Sequence, residues 1–499
     1  MPTQVPADKT YATPQELLTT LRDLRQEIYD EGNAIFVHWQ SCIHRRDFLI
    51  SSHNLADYLA LRKRDLRPLQ AALTPWGLSS LGRIEARVLP NLDAVIATLG
   101  AVCGETIKHP RMSLFTRGER LLSRQTEHVF GPAPEERRVH IMVTMPTEAA
   151  TDYGLIYDLL IHGMDCIRIN CAHDTPTEWS AIIANMRRAE TETGRQCKIA
   201  MDLSGPKIRT ETVIAPKDKR LVVDDTLRIT LAEPKPSDQF EFQAQCAVPQ
   251  LFKQVKVGAH VWIDDGKLGC VVQSVSPKEL VLRVTQASEG GEKLKPEKGI
   301  NFPDTELNLP ALSEQDMIDL DFIAQNADII NYSFVQDAND IRLLQQALAE
   351  RMDDPHRIAI VAKVETQRAI NNLPEIMVQA AGLNPFGVMI ARGDLAVEIG
   401  YQRLAEMQEQ ILWLCEAAHV PVIWATQVLE NLVKKGRPSR AEMTDAAMSE
   451  RSECVMLNKG PYIREAVTIL DDVLRRMSAH QSKKTPQLRA LRSWQGNNS

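Results

Sequence analysis

The sequence predicts an α/β protein: a (β/α)8 TIM barrel with an inserted all-β lid domain and an N-terminal all-helical domain. Three observations predict it. Short apolar runs alternate with helical stretches from about residue 139 to residue 477, the rhythm of a parallel sheet with helices outside it. That rhythm breaks between 212 and 299, where strand-like runs are punctuated by Gly, Pro, Asp and Lys and no long amphipathic helix occurs. The leading region shows helical periodicity only. The divisions read 1–134 for the helical domain and linker, 135–211 and 300–480 for the two parts of the barrel, 212–299 for the insert and 481–499 for a polar tail.

A chain of 499 residues is long for one core and calls for roughly two to four domains. Apolar residues make up 44%, ample for a packed interior, and the net charge of −7 offers no footprint for nucleic acid. No run reaches the roughly 18 apolar residues of a membrane span. Met1-Pro2-Thr3-Gln4 opens no basic-then-apolar leader. The nine cysteines lack metal-ligand spacing and read as free buried thiols in a reducing compartment. A cytoplasmic location is the expectation.

The first helix signal is Thr13-Pro14-Gln15-Glu16: threonine caps, proline takes the first helical position and Glu16 closes a capping box. Leu17, Leu21, Leu24 and Ile28 follow at helical spacing. A second helix is expected from about Asn54 into Arg62-Lys63-Arg64, with Leu55, Leu59 and Leu66 on its apolar side and Pro68 kinking or ending it. A third covers Leu89 to Leu99. His38, His44 and His53 have no metal-ligand spacing and read as surface or core side chains; Arg62-Lys63-Arg64-Asp65 reads as a solvated face. Gly131-Pro132-Ala133-Pro134-Glu135-Glu136 is a linker.

Barrel strands are expected next at Val139–Val143, Cys166–Asn170 and Lys198–Met201, with a helix over Glu178–Ala189. In the insert, Val222-Val223, Leu227–Ile229, His260–Ile263 and Leu280–Val284 are strand-like. Asp264-Asp265-Gly266 reads as a hairpin turn at the hinge in preference to a cation site. Asp328–Asn331, Arg357–Ala362, Gly387–Ala391, Pro421–Ala425 and Cys454–Leu457 complete the strand set, and a last helix runs from Ile463 to Met477. Eight strands suit a closed barrel, although an open sheet satisfies the same pattern. The tail is expected to fray.

The stretch Ile390-Ala391-Arg392-Gly393-Asp394-Leu395-Ala396-Val397-Glu398 follows Lys363-Val364-Glu365 by one strand-and-helix interval. Glu365 and Asp394 each sit just past an apolar run, at the end of a parallel strand. Two such carboxylates can hold one hard cation such as Mg²⁺, which keeps waters and binds phosphate and carboxylate oxygens. Lys363 lies on the same side of its strand as Glu365 and adds a fixed positive charge. Spacing alone leaves a strand-end salt bridge beside a turn glycine as the alternative.

These blocks, with Met201-Asp202-Leu203-Ser204-Gly205-Pro206-Lys207-Ile208-Arg209-Thr210 and Ala425-Thr426-Gln427-Val428-Leu429-Glu430, resemble the pyruvate kinase family and occur in that family's order. The resemblance runs from about Arg138 to about Arg476. It implies a closed barrel and transfer of the phosphoryl group of phosphoenolpyruvate to ADP, giving pyruvate and ATP. On the resemblance, Lys363 is the catalytic lysine between the transferred group and the enolate oxygen. Arg168 clamps phosphate, and Thr426 sits beside the substrate methylene to relay a proton. Backbone N–H groups around Arg392, Gly393 and Asp394 receive the substrate carboxylate. Glu365 and Asp394 ligate Mg²⁺ or Mn²⁺. Arg168, Arg209, His173 and Lys298 serve the nucleotide, with Lys298 brought down as the lid closes. A homo-oligomer is expected, with no nucleic-acid or membrane partner.

Several positions depart from the family pattern. Asn170-Cys171-Ala172-His173 carries alanine where a serine would help hold a monovalent cation, Leu203 replaces a hydroxyl, and Lys207 stands where potassium-dependent members carry glutamate. An ammonium at Lys207 can replace the cation, so the resemblance implies no K⁺ requirement. Thr144-Met145-Pro146 lacks the usual glycine, Ala396 replaces another, and Asn458-Lys459-Gly460-Pro461-Tyr462 replaces the usual loop after the last strand. The family's regulatory C-terminal domain is not expected. Ala396 falls near the metal, while the altered loops after the first and eighth strands leave the nucleotide and regulatory sides less well preserved than the substrate side. They keep open another phosphoenolpyruvate or pyruvate enolate or phosphoryl-transfer chemistry, and a catalytically weak binding or regulatory protein.

Overall fold

The computed structural model describes residues 13–483 and 485–486. Most of the tail after Gln481 lies outside the described residues. The barrel opens with β1 (His140–Thr144), β2 (Cys166–Asn170) and β3 (Lys198–Leu203). The chain then leaves it for β4 (Val213–Ile214), β5 (Thr226–Thr230), β6 (Phe242–Gln245), β7 (His260–Ile263), β8 (Leu268–Ser276), β9 (Glu279–Gln286) and β10 (Ile300–Asn301). It returns with β11 (Ile329–Tyr332), β12 (Ala359–Val364), β13 (Phe386–Ala391), β14 (Val422–Ala425) and β15 (Cys454–Leu457). The barrel is closed, in the order β1-β15-β14-β13-β12-β11-β3-β2. The open sheet is thereby excluded, and every strand end that carries a candidate site residue faces one rim.

The insert folds as its own seven-stranded sheet around a separate hydrophobic core. Two readings of it need correction. Val222 and Val223 are exposed and belong to no strand; beside them Leu221 makes a single bridge to Glu292, after which the Val222 N–H turns back to Asp225. The long strand β8 escaped the sequence reading, its apolar alternation being broken by Gln273, Ser274 and two register shifts against β9.

The leading region forms α1 (Pro14–Trp39), α2 (Leu49–Arg62), α3 (Arg67–Leu73), α4 (Val88–Val102), α5 (Met112–Phe115) and α6 (Arg117–Phe130). The capping box at Thr13 and Glu16 is present. Helix α2 begins earlier than expected, and Pro68 does not end it. That proline sits in the first turn of α3, where a missing N–H costs nothing. Arg62-Lys63-Arg64-Asp65 is more than a solvated face. Arg64 pairs with Glu27 and Glu31 of α1, and the Arg62 guanidinium lies 5.0 Å above the Trp413 ring of the barrel layer. His53 stays exposed and stacks on Phe36 at 3.5 Å.

The helical domain is fastened to the barrel's outer helices. Asn54 Nδ2 donates to Ala417 O at 2.8 Å, and the N–H groups of His44 and Arg45 donate to Gly382 O. A Cβ at Gly382 would lie 2.1 Å from Cys42 O, so only glycine admits this approach. His419 bridges Ser51 Oγ and Ala86 O at 2.9 and 3.0 Å. One continuous core spans α1, α2, α4 and the barrel's outer layer. At the closed end of the barrel, Val129 and Phe130 of α6 pack with Met142, Cys166, Met389 and Met456. No helix among the described residues is long and apolar enough to cross a membrane.

Candidate active site

Strand β12 carries Lys363 near its C-terminal end and delivers Glu365 just beyond it. Both side chains are buried, which a parallel strand covered on both faces permits only when charges are paired. Lys363 Nζ lies 3.1 Å from Glu365 Oε1 and 3.5 Å from Asp202 Oδ2, and donates to Ser333 Oγ at 2.7 Å. Burial disfavours the ammonium, but Glu365 and Asp202 outweigh it and hold the lysine pKa above its ordinary value.

Arg168 on β2 is buried and gripped from below. Its Nε and one terminal nitrogen meet Asp202 Oδ1 and Oδ2 at 3.0 and 2.6 Å, a bidentate pair, and the other donates to Thr144 Oγ1 at 2.9 Å. Asn331 on β11 donates to Asp202 Oδ1 at 2.7 Å. Asp202 thus orients both cations of the site. Burial resists its ionisation, yet Arg168 and Lys363 keep its pKa below the usual aspartate value.

Glu365 turns its second oxygen to the Phe334 N–H at 2.6 Å. Burial raises its pKa; Lys363 opposes the shift and Asp394 adds to it, so the two carboxylates feel one another. Asp394 Oδ1 is 2.8 Å from Lys207 Nζ. Among the described residues, no group of three or more His, Cys, Asp or Glu side chains could hold a metal ion. The two carboxylates nonetheless fit a hard divalent cation, which uses few protein oxygens when substrate and water supply the rest.

Asp394 lies in the first turn of the helix Arg392–Ile399, whose early N–H groups lack intrahelical partners. The Gly393 N–H donates to Thr426 Oγ1 at 2.8 Å. Thr426 itself has φ of +63°, and Gln427 and Leu429 are also left-handed, a strained run at the end of β14. The Arg392 side chain turns away from this corner. Its guanidinium pairs with Asp445, donates to Ala425 O and Thr426 O, and lies 4.9 Å over the Trp424 ring. It supports the loop, leaving only its backbone at the site.

On the lid side, Arg209 donates to Glu297 O at 3.2 Å and lies close enough to His173 to help depress its pKa, after burial and Lys459. Lys298 Nζ pairs with Asp264 Oδ1 at 2.8 Å, and Lys267 takes the other oxygen. Asp264-Asp265-Gly266 is the expected turn, between β7 and β8, and a Cβ on Gly266 would touch Val397 of the barrel at 3.4 Å. Beside Arg168 opens a cavity of about 330 Å³ that includes His173, Glu430, Lys434, Asn458 and Lys459. Asp202, Ser333, Asn331, Lys434 and Lys459 were not singled out from the sequence as site residues. Asp202 lies inside the Met201–Thr210 block and Lys459 inside the divergent loop after the last strand; the others reach the site through the barrel's closure.

The family model "Pyruvate kinase, barrel domain" matches residues 136–467. Pyruvate kinase of Dictyostelium discoideum is 33% identical over 351 residues, covering 68% of this chain and 66% of its own length. That of Candida albicans is 34% identical over 365 residues, covering 72% and 70%. Pyruvate kinase PKLR of Rattus norvegicus is 33% identical over 346 residues, covering 66% of this chain and 58% of its own length. The match therefore spans about two thirds of these relatives, and the helical domain lies outside the family model. With a barrel matched from end to end and its strand-end motifs in place, this chain belongs to the pyruvate kinase family.

Proposed function

We propose that this protein is a pyruvate kinase, moving the phosphoryl group of phosphoenolpyruvate to ADP. The observation that carries the reading is the buried Lys363 ammonium, held by Glu365, Asp202 and Ser333 beside the Arg168 guanidinium. Phosphoryl transfer is catalysed by positioned positive charge, and these two cations are fixed before substrate arrives. Glu365 and Asp394 would hold Mg²⁺ or Mn²⁺, which when bound neutralises phosphoryl and carboxylate oxygens. The bond from phosphorus to the enolate oxygen breaks and one to the terminal oxygen of ADP forms. The enolate carbon then takes a proton to give pyruvate.

Lys363 faces the transferred group and the enolate oxygen, and Arg168 clamps phosphate. The N–H groups at the start of the helix Arg392–Ile399 receive the substrate carboxylate. Thr426, already positioned by the Gly393 N–H, relays the proton. His173 and Arg209 bind nucleotide phosphates, and Lys298 joins them once lid closure draws it from Asp264. Lys207 beside Asp394 supplies the charge a monovalent cation would bring, and Ala172 and Leu203 offer such a cation no side-chain oxygen. The activity should therefore need divalent metal and not K⁺.

Pyruvate release, coupled to a reporter enzyme, tests this with phosphoenolpyruvate, Mg²⁺ and a panel of nucleoside diphosphates. Pyruvate and nucleoside triphosphate in equal amounts is the expected result. Phosphoenolpyruvate binding with no transfer to any diphosphate would favour a different acceptor.

A further inference from the structure

At the end of the barrel opposite Lys363, a cavity of about 590 Å³ opens between α6, the starts of β1 and β15, and the turn Ser449–Arg451. That volume suits a small-molecule site. Leu122 and Val139 contribute apolar wall. Glu450, 4% exposed, lines the cavity, and among the described residues neither of its carboxyl oxygens has a hydrogen bond. Arg138 makes a long ion pair with it, at 3.8 Å, outside hydrogen-bonding reach. His140, 1% exposed, presents two ring nitrogens that also lack hydrogen bonds. Buried polar groups are seldom left so, because each unmet partner costs about 1–3 kcal/mol.

The same cavity already receives one ammonium. Lys483 Nζ lies 2.5 Å from Glu453 Oε1, and the other Glu453 oxygen accepts from the Val422 N–H. Glu453 is thus fully used while Glu450 is not. The cavity's arginines are engaged elsewhere: Arg451 pairs with Glu409, and Arg87, Arg120 and Arg138 donate to the carbonyl oxygens of Phe115, Ser113 and Gln481.

We propose that this cavity is a second ligand site, taking a small organic cation whose protonated amine or guanidine pairs with Glu450 while its hydrocarbon part lies against Leu122 and Val139. Burial raises the Glu450 pKa to about 7, so a bound cation restores an ionised carboxylate there. Neutral His140 offers the ligand a further acceptor. The assignment stands apart from the phosphoryl-transfer reading, which uses the other rim.

Calorimetric titration of the full chain with agmatine and with putrescine, against glycerol as uncharged control, tests it in mildly alkaline buffer. Saturable binding of at least one amine and none of glycerol is expected. Glu450→Gln should weaken it by roughly tenfold or more, and Leu122→Trp, which fills the cavity without touching the carboxyl, should abolish it. Lys363→Met should leave it unchanged. If Glu450→Gln does not fold, Leu122→Trp decides. Absence of amine binding at millimolar concentration, or binding undiminished by both cavity variants, overturns the proposal.

Discussion

Lys363 neutralises two buried carboxylates and presents a cation to the substrate, so its replacement should register in two measurements. Lys363→Met is expected to lower kcat by roughly 100- to 1000-fold, the usual cost of losing one positioned donor at a developing charge. It also leaves Glu365 and Asp202 without their ammonium, so some loss of melting temperature is expected in a protein that still folds. Near-wild-type turnover would remove this lysine from the chemistry. Lys207 gives the second prediction at this scale. Exchanging Na⁺, K⁺ and an organic cation at constant ionic strength should leave activity within a small factor; a many-fold gain with K⁺ would show that its ammonium does not replace the ion. Lys363, Glu365 and Asp394 were legible because they end apolar runs in recognisable blocks. Asp202 and Ser333 are single polar residues whose role depends on partners far away in sequence, and no local pattern announces that. Arg392 is placed at the substrate through its backbone N–H, and Asp445, Ala425 and Thr426 claim its side chain, a pairing no local pattern announces.

Among the elements, the contact between the helical domain and the barrel depends on histidines kept neutral. Burial pushes His140 and His419 from the ordinary 6.5 down to about 4. Between those values the unfolded chain binds protons that the folded chain refuses. The contribution of these two histidines should therefore be fully present above about pH 6.5 and be lost as pH drops toward 4, by roughly 3 kcal/mol per histidine at most, whereas Asp57, Glu398 and Glu450, which burial pushes up to about 7, act in the opposite sense. Urea unfolding at several pH values checks this. His419→Gln should flatten the dependence, and an unchanged slope would show that the imidazole is not buried in solution. The cap at Thr13 and the strand cores were readable from short-range chemistry, while the role of Pro68 was not. Proline marks a break, and only the neighbouring helix shows whether it closes one element or opens the next.

For the whole molecule, the apolar faces of α1, α2 and α4 are buried against the barrel, and Phe130 packs into its lower end. A chain beginning at Glu135 would expose that surface. It should melt at a lower temperature than the full chain or aggregate, and where it stays folded it should still bind phosphoenolpyruvate with Mg²⁺, because the site lies at the opposite rim. A truncated protein of unchanged melting temperature would show that the helices dock only weakly.

By itself the sequence determined the alternation that makes a parallel barrel, the interruption by a β insert, the helical leader and the strand-end carboxylates with their lysine. All of these rest on interactions within a few residues, where periodicity and turn chemistry act. Only the tertiary structure decided that Asp202 aligns Arg168 and Lys363, that Lys298 is paired with Asp264, and that the leading helices pack against the barrel's far end. Those outcomes depend on which distant side chains barrel closure and domain docking bring within hydrogen-bonding distance, and burial makes each such pairing count.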